Sequence, residues 1–265
     1  MRFVLPQITV MPVNVLKSEK PSMASVVTPI SINTDLRITR KQILADLRQE
    51  GFGLCQRLSP EVTTLDLGLS LGAAVDIPKL LPGRGIPQIQ TLMPRHIGEV
   101  GPNQYSGNYG MAEFPLHTDL AHWALPPRYF ILRCIIGTKD VFTHILPWSH
   151  IVSVVGLSTL RRAVFTVRKQ RVGYSGLLRA MSTQKGFDLF RWDPIFLRPV
   201  NAAAHRVKEI ISTHEWRDSI RRVLMENPGD TIVVDNWRTV HGRASVPLNG
   251  AVRRVERVYL SEMFE

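Results

Sequence analysis

The segment Phe114-Pro115-Leu116-His117-Thr118-Asp119 reads as the end of an extended stretch carrying a His-x-Asp pattern. Side chains along a strand alternate between its faces, so His117 and Asp119 are expected on one side and Thr118 on the other. An imidazole and a carboxylate, joined by one distant histidine, make the 2-His-1-carboxylate facial triad that holds non-haem Fe(II) and leaves positions open for ligands. The tripeptide alone is a weak signal. With 8 histidines and 22 acidic residues in the chain, His-x-acid can arise by chance, and its context must carry the reading.

That context lies downstream. Pro228-Gly229-Asp230 is a turn signal, the β-branched run Thr231-Ile232-Val233-Val234 reads as a buried strand, and His241 just beyond it is the candidate third ligand. Further on, Arg253 to Leu260 is again strand-like, with Arg253, Val255 and Arg257 on one face and Arg254 on the other. Burying a guanidinium inside a β fold costs several kcal/mol unless an anion pairs with it. A dicarboxylate co-substrate would supply that anion.

On these residues the chain, from about Gly107 to its end, resembles the taurine dioxygenase family of Fe(II)/2-oxoglutarate oxygenases, including its clavaminate synthase-like members. The family's His-Thr-Asp is followed by a Pro-Pro pair, here Pro126-Pro127, then by a strand and a Thr that helps to hold 2-oxoglutarate. Thr143 is the best match for that Thr, with Lys139-Asp140-Val141-Phe142 standing where a Gly-Gly is common. The distal histidine is followed in the family by two arginines four residues apart, here Arg253 and Arg257, the first being the usual partner of the 2-oxoglutarate C5 carboxylate. The resemblance therefore implies His117, Asp119 and His241 as Fe(II) ligands, Thr143, Arg253 and Arg257 as co-substrate contacts, and O2 as the oxidant. It implies hydroxylation of an unactivated C–H bond of a small molecule, such as an amino acid or natural-product intermediate. Desaturation, cyclisation or epimerisation by the same oxidant is the first alternative, and a jelly-roll binding protein without turnover the second. Arg257 and the positive charge favour a substrate carrying a carboxylate.

The elements that must position these groups follow from the pattern. Many short strands, Gly/Pro turns and a few helices fit a mainly β fold with flanking helices, a double-stranded β-helix (jelly roll, cupin-like barrel) whose mouth holds ligands. A chain of 265 residues with 44% hydrophobic content can bury one sizeable core, so a single domain is expected over 1–265. Within it, 1–33 reads as an irregular arm, 34–110 as a helix–strand preface with loops, and 111–265 as the catalytic barrel. Helices are expected from Thr39 to Glu50, stopped by Gly51, from Pro60 to Leu71, over part of Trp148–Leu160, and as one or two between Ala202 and Glu226. Strands are expected at Phe52–Cys55, Ile86–Leu92, Arg128–Ile136 and Ala163–Val167. Asn103-Gln104-Tyr105-Ser106 is either a plain surface loop or a pocket-lining one, and Phe187 to Phe196 either an aromatic wall near the pocket or core packing. His122 reads as a half-exposed structural residue, with a contact to substrate or to a metal ligand as the alternative, and His144 and His150 are left without a role.

The formal charge of +11 raises nucleic acid as a partner. The basic residues are dispersed, however, without an aromatic-interleaved stripe, so no nucleic-acid partner is expected. Cys55 and Cys134 lie in apolar surroundings and read as buried free thiols, which points to a reducing cytoplasm. No signal peptide and no membrane span are recognised. The oligomeric state is not encoded in any pattern here.

Overall fold

The computed structural model describes residues 36–83, 85–168, 176–247 and 252–265; the expected arm at 1–33 lies outside them. Two antiparallel sheets form the centre. One has six strands, in the order Phe52–Cys55, Thr231–Asp235, Tyr129–Ile136, Arg254–Met263 and Gly72–Ala74, with Gln90–Leu92 also paired to Arg254–Met263. The other has four, in the order Arg221–Val223, Thr143–Pro147, Thr239–Arg243 and Phe114–His117.

The period of two in each strand explains how these sheets are sandwiched. Phe130, Leu132, Ile232, Val234 and Tyr259 of the larger sheet pack against Ile145 and Val223 of the smaller one. The intervening residues Ile131, Val233 and Val258 point outward and are covered by Ile43 and Leu47 of the helix Leu36–Glu50 and by Leu67 and Leu71 of the helix Thr64–Leu71. On the outer side of the smaller sheet, Leu146 and Val240 meet the helices Trp148–Val155, Leu157–Arg162 and Ala202–Thr213. With both faces covered, the central strands read as continuous apolar runs rather than alternating ones. The architecture is mainly β with flanking helices, and Cys55 and Cys134 are buried free thiols. Among the described residues no helix is long and apolar enough to cross a membrane.

Four expected boundaries move, each for a local reason. The helix expected from Pro60 starts at Thr64, because the Thr63 side chain accepts from Asp66 N and caps it, while Ser59 sits at φ +40 in a preceding turn. The strand expected at Ile86–Leu92 shrinks to Gln90–Leu92: Gln88 turns its side chain to Ile77 N and the Val75 carbonyl instead of joining a ladder. Of the one or two helices expected between Ala202 and Glu226, one forms and ends at Thr213, and Arg221–Val223 becomes an edge strand paired with Thr143–Ile145. Asp119 lies beyond the strand Phe114–His117, in a turn where Leu120 takes φ +53, so strand alternation does not place it. By contrast, Gly51 at φ +81 stops the first helix as expected, and a Cβ there would fall 2.6 Å from Thr239 Cγ2.

Candidate metal and co-substrate site

His117 and His241 are direct partners across the ladder between Phe114–His117 and Thr239–Arg243. Their rings stand 4.4 Å apart between centroids, and His241 also packs on Phe130 at 4.8 Å. Asp119 Oδ1 faces both, 3.8 Å from His117 Nε2 and 3.6 Å from His241 Nε2. One ligand atom from each residue lies within 4.8 Å of the others, and all three residues are buried.

The protonation states suit a cation site. His117 Nδ1 is 2.9 Å from the Pro115 carbonyl, so it carries the proton and leaves the Nε2 lone pair directed at the Asp119 side. Burial, reinforced by His241, pushes His117 down to about 3, so its ring is neutral. For Asp119, burial pushes upward, but the Arg257 guanidinium and the two imidazoles outweigh it and hold the carboxyl ionised well below the usual range. Arg257 donates to Asp119 Oδ2 at 2.7 Å and to Gln90 Oε1 at 2.7 Å. Asp119 thus has one oxygen engaged and the other turned to the imidazoles.

Asp119 is also held through its main chain. Its N–H donates to Asn236 Oδ1 at 2.8 Å, and Asn236 Nδ2 donates to the Asp119 carbonyl at 3.0 Å and to the Pro127 carbonyl at 3.0 Å. Asn236 stands in the turn between Thr231–Asp235 and Thr239–Arg243, the strand that carries His241. An Asn at a turn between two β-branched runs was the available signal for it.

Arg253 opens on the same cavity, with Thr143 beside it. Its Nη2 donates to Thr143 Oγ1 at 2.9 Å, its Nε has no partner, and among the described residues no carboxylate pairs with it. Burial pulls this guanidinium down to about 10, the signature of a cation removed from water without a counter-ion. Of the expected co-substrate contacts, Thr143 and Arg253 are brought together, while Arg257 is on Asp119.

The cavity that these groups share measures about 1470 Å³. Its other wall comes from turns and the short helix Tyr105–Tyr109. Tyr105 stacks on His117 with centroids 3.9 Å apart, and Asn103, Gln104 and Ser106 line the cavity beside it. His122 packs on Phe196 at 4.9 Å, and both line the cavity. Asp193 lies there too, its Oδ1 accepting from Ile195 N and Phe196 N at 2.7 Å each. The stretch Phe187–Phe196 therefore divides: Phe196 belongs to the pocket wall, whereas Phe190 and Trp192 are core. His144 instead meets Glu113 at 3.3 Å.

No protein-family model matches the chain. The L-lysine 3-hydroxylase of Catenulispora acidiphila is 23% identical in an alignment of 164 positions that covers 56% of this chain and 45% of that protein. The match thus spans under half the length of that curated relative. Among solved structures, asparagine oxygenase bound to Fe(II), 2S,3S-3-hydroxyasparagine and succinate superposes with a TM-score of 0.62 at 16% identity, over 84% of this chain and 79% of that one. The non-haem iron oxygenase OrfP, in complex with Fe, succinate and (3S)-hydroxy-L-Arg, gives 0.59 at 17% identity over 85% and 80%. PvcB from Pseudomonas aeruginosa gives 0.58 at 13% identity over 83% and 79%. The chain has the fold of these three structures.

Proposed function

We propose that the chain, sharing this fold, is an Fe(II)- and 2-oxoglutarate-dependent oxygenase that hydroxylates an unactivated C–H bond of an amino acid. The observation that carries the reading is one cavity holding two imidazoles, that of His117 neutral, and an ionised carboxylate at metal-ligand spacing, together with a buried guanidinium that has no carboxylate partner among the described residues.

The residues present fit both groups. Two nitrogen donors and one carboxylate oxygen are the donor set of a facial triad, and among the described residues no fourth His, Cys, Asp or Glu joins the cluster. Arg253 and Thr143 offer a guanidinium fork and a hydroxyl to a carboxylate, which relieves an otherwise unpaired buried charge. On this reading His117, Asp119 and His241 would hold Fe(II), and Arg253 with Thr143 the far carboxylate of 2-oxoglutarate. With O2, that centre supplies C–H oxidation coupled to decarboxylation of 2-oxoglutarate to succinate.

The rest is done by the protein. Arg257 keeps Asp119 ionised and engages its outer oxygen, so that the inner one faces the imidazoles. Tyr105 covers the face of His117 and keeps water from that side. The two facing antiparallel sheets support a double-stranded β-helix, with 111–265 as the barrel of one domain. The named relatives act on or hold lysine, asparagine and arginine derivatives, which supports a carboxylate-bearing amino acid as substrate rather than nucleic acid or a membrane component. Buried Cys55 and Cys134 as free thiols support work in a reducing cytoplasm.

The test is succinate release from purified protein, with Fe(II), 2-oxoglutarate and O2, across a panel of free amino acids. An amino acid that stimulates succinate and gains one oxygen by mass spectrometry is the expected result. Metal uptake without any amino acid-stimulated succinate would overturn the proposal.

A further inference from the structure

We infer that Asn236 is the positioning residue for the carboxylate ligand, fixing Asp119 relative to the two histidines. The inference rests on the proposed metal site and asks what makes the geometry of that site unique. His117 and His241 need no extra device, because ladder register sets them opposite one another. Asp119 has no such support. It lies outside the strand, next to Leu120 at φ +53, and the ladder hydrogen bonds that would fix its main chain end before it.

Asn236 replaces them. Its side-chain amide mimics a strand edge, taking the Asp119 N–H on Oδ1 and returning Nδ2 to the Asp119 carbonyl, with a second donation to the Pro127 carbonyl. All three bonds are buried, and Asn236 is 1% exposed, so water cannot replace them. The clamp comes from the turn that feeds the strand of His241. The position of the carboxylate ligand is therefore referred to the element bearing the second imidazole. Arg257 orients the Asp119 carboxylate itself; Asn236 sets where the residue stands.

A merely structural role for Asn236 would lower stability without changing the affinity of the folded protein for metal. The same turn supplies the control: Thr239 Oγ1 donates to the Asp235 carbonyl at 2.9 Å, also buried, but touches neither Asp119 nor Pro127. The experiment titrates the metal-free, full-length chain with Co(II), reading the d–d absorption band, and records Tm for each variant. Wild type is expected to take up one Co(II). Asn236→Ser is expected to weaken Co(II) binding by about 10- to 100-fold, the range for groups that orient metal ligands, and to shift the band. Asn236→Asp, which keeps an acceptor for the Asp119 N–H and loses both donors, should fall between. Thr239→Val should lower Tm and leave Co(II) affinity and band unchanged. Wild-type affinity and band in Asn236→Ser, with a Tm loss like that of Thr239→Val, would overturn the inference. Should Asn236→Ser not fold, Asn236→Asp decides by the same measure, unchanged Co(II) binding overturning it. Failure of the wild type to bind Co(II) would instead strike at the metal site itself and take this inference with it.

Discussion

Two carboxyls face the same cavity and are driven in opposite directions. Asp119 sits at the end built on strands, where Arg257 and the imidazoles of His117 and His241 keep it ionised against the cost of burial. Asp193 sits at the end built on turns, where burial, with a smaller push from Asp119, raises it to about 7 despite the N–H groups of Phe196 and Ile195. The strand end is thus organised for a cation and an anion of fixed position. The turn end is organised by side chains that reach irregular backbone. Arg243 Nη2 holds the carbonyls of Gly110 and Ala112 at 2.8 and 2.6 Å, Arg191 those of Ala121, Trp123 and Ala124, and Arg168 that of Pro102. A guanidinium offers five donors in a rigid fork, which suits carbonyls that no ladder can pair. The contrast is between hydrogen-bonded register and arginine struts.

The largest expected effect breaks the strand end. A site of three protein ligands has no spare donor, so His241→Ala should lose bound Fe(II) and amino acid-stimulated succinate release altogether. Iron measured after anaerobic loading is the check, and unchanged stoichiometry would remove His241 from the ligand set. Next comes Arg253→Ala. It leaves a bound carboxylate without its charge partner, at about 2 to 5 kcal/mol, which is roughly 30- to several thousand-fold in the KM for 2-oxoglutarate. Arg253→Lys should recover part of this. If Arg257→Ala raises that KM while Arg253→Ala does not, the co-substrate lies on the other arginine.

The same contrast explains what could be read from the chain. His117, His241 and Thr143 stand on strands, where alternation carries sequence position into facing direction, and Arg253 stands one residue before the strand Arg254–Met263; their convergence was legible once a distal histidine and an arginine pair followed the His-x-Asp. Asp119 was legible as a residue type but not by its geometry: the strand argument that put it beside His117 does not apply in a turn, and the Asn236 clamp that does apply is a contact across the fold. Asp193 reaches the cavity from an irregular segment, and Tyr105 and Gln90 from a five-residue helix and a three-residue strand too short to show a period. The charge was legible in sign but not in use. Arg133, Arg191, Arg238 and Arg243 donate to main-chain carbonyls, so part of the +11 is internal scaffolding rather than a surface for an anionic polymer. Helix ends followed local caps, and the misplaced start at Pro60 shows Thr63 outcompeting a proline entry signal.

A third experiment loosens the turn end alone. Arg243→Met removes the guanidinium that lies over the Phe114 ring and strands the Gly110 and Ala112 carbonyls, each unsatisfied group costing about 1–3 kcal/mol. The segment around Tyr105–Tyr109 should then exchange its amide hydrogens faster, and the KM for the amino acid should rise about tenfold while Co(II) affinity is kept. Loss of Co(II) affinity in that variant would show that the two ends are one unit.

The smallest effect concerns Asp193 itself. An ordinary carboxyl of this type titrates near 3.8, and burial in the folded protein raises it to about 7. Between those values the folded chain keeps a proton that the unfolded chain releases, so stability is highest at the acid side of the window and is lost as pH rises through it. Asp235, raised by burial to about 6 in spite of Arg128, adds a slope of the same sign that ends earlier. Asn at position 193 keeps an oxygen for the N–H groups of Ile195 and Phe196 but carries no proton to lose. Across pH 5 to 8, the Tm of the metal-free wild type should fall by a few degrees, about 2–4 °C for each kcal/mol in a chain of this size class, and Asp193→Asn should remove most of that fall above pH 6. Metal affinity should not change between the two proteins, because Asp119 is held ionised by Arg257 rather than by anything at the turn end. An Asp193→Asn melting series parallel to the wild type would mean that Asp193 is ionised throughout, and the opposition between the two carboxyls would fall.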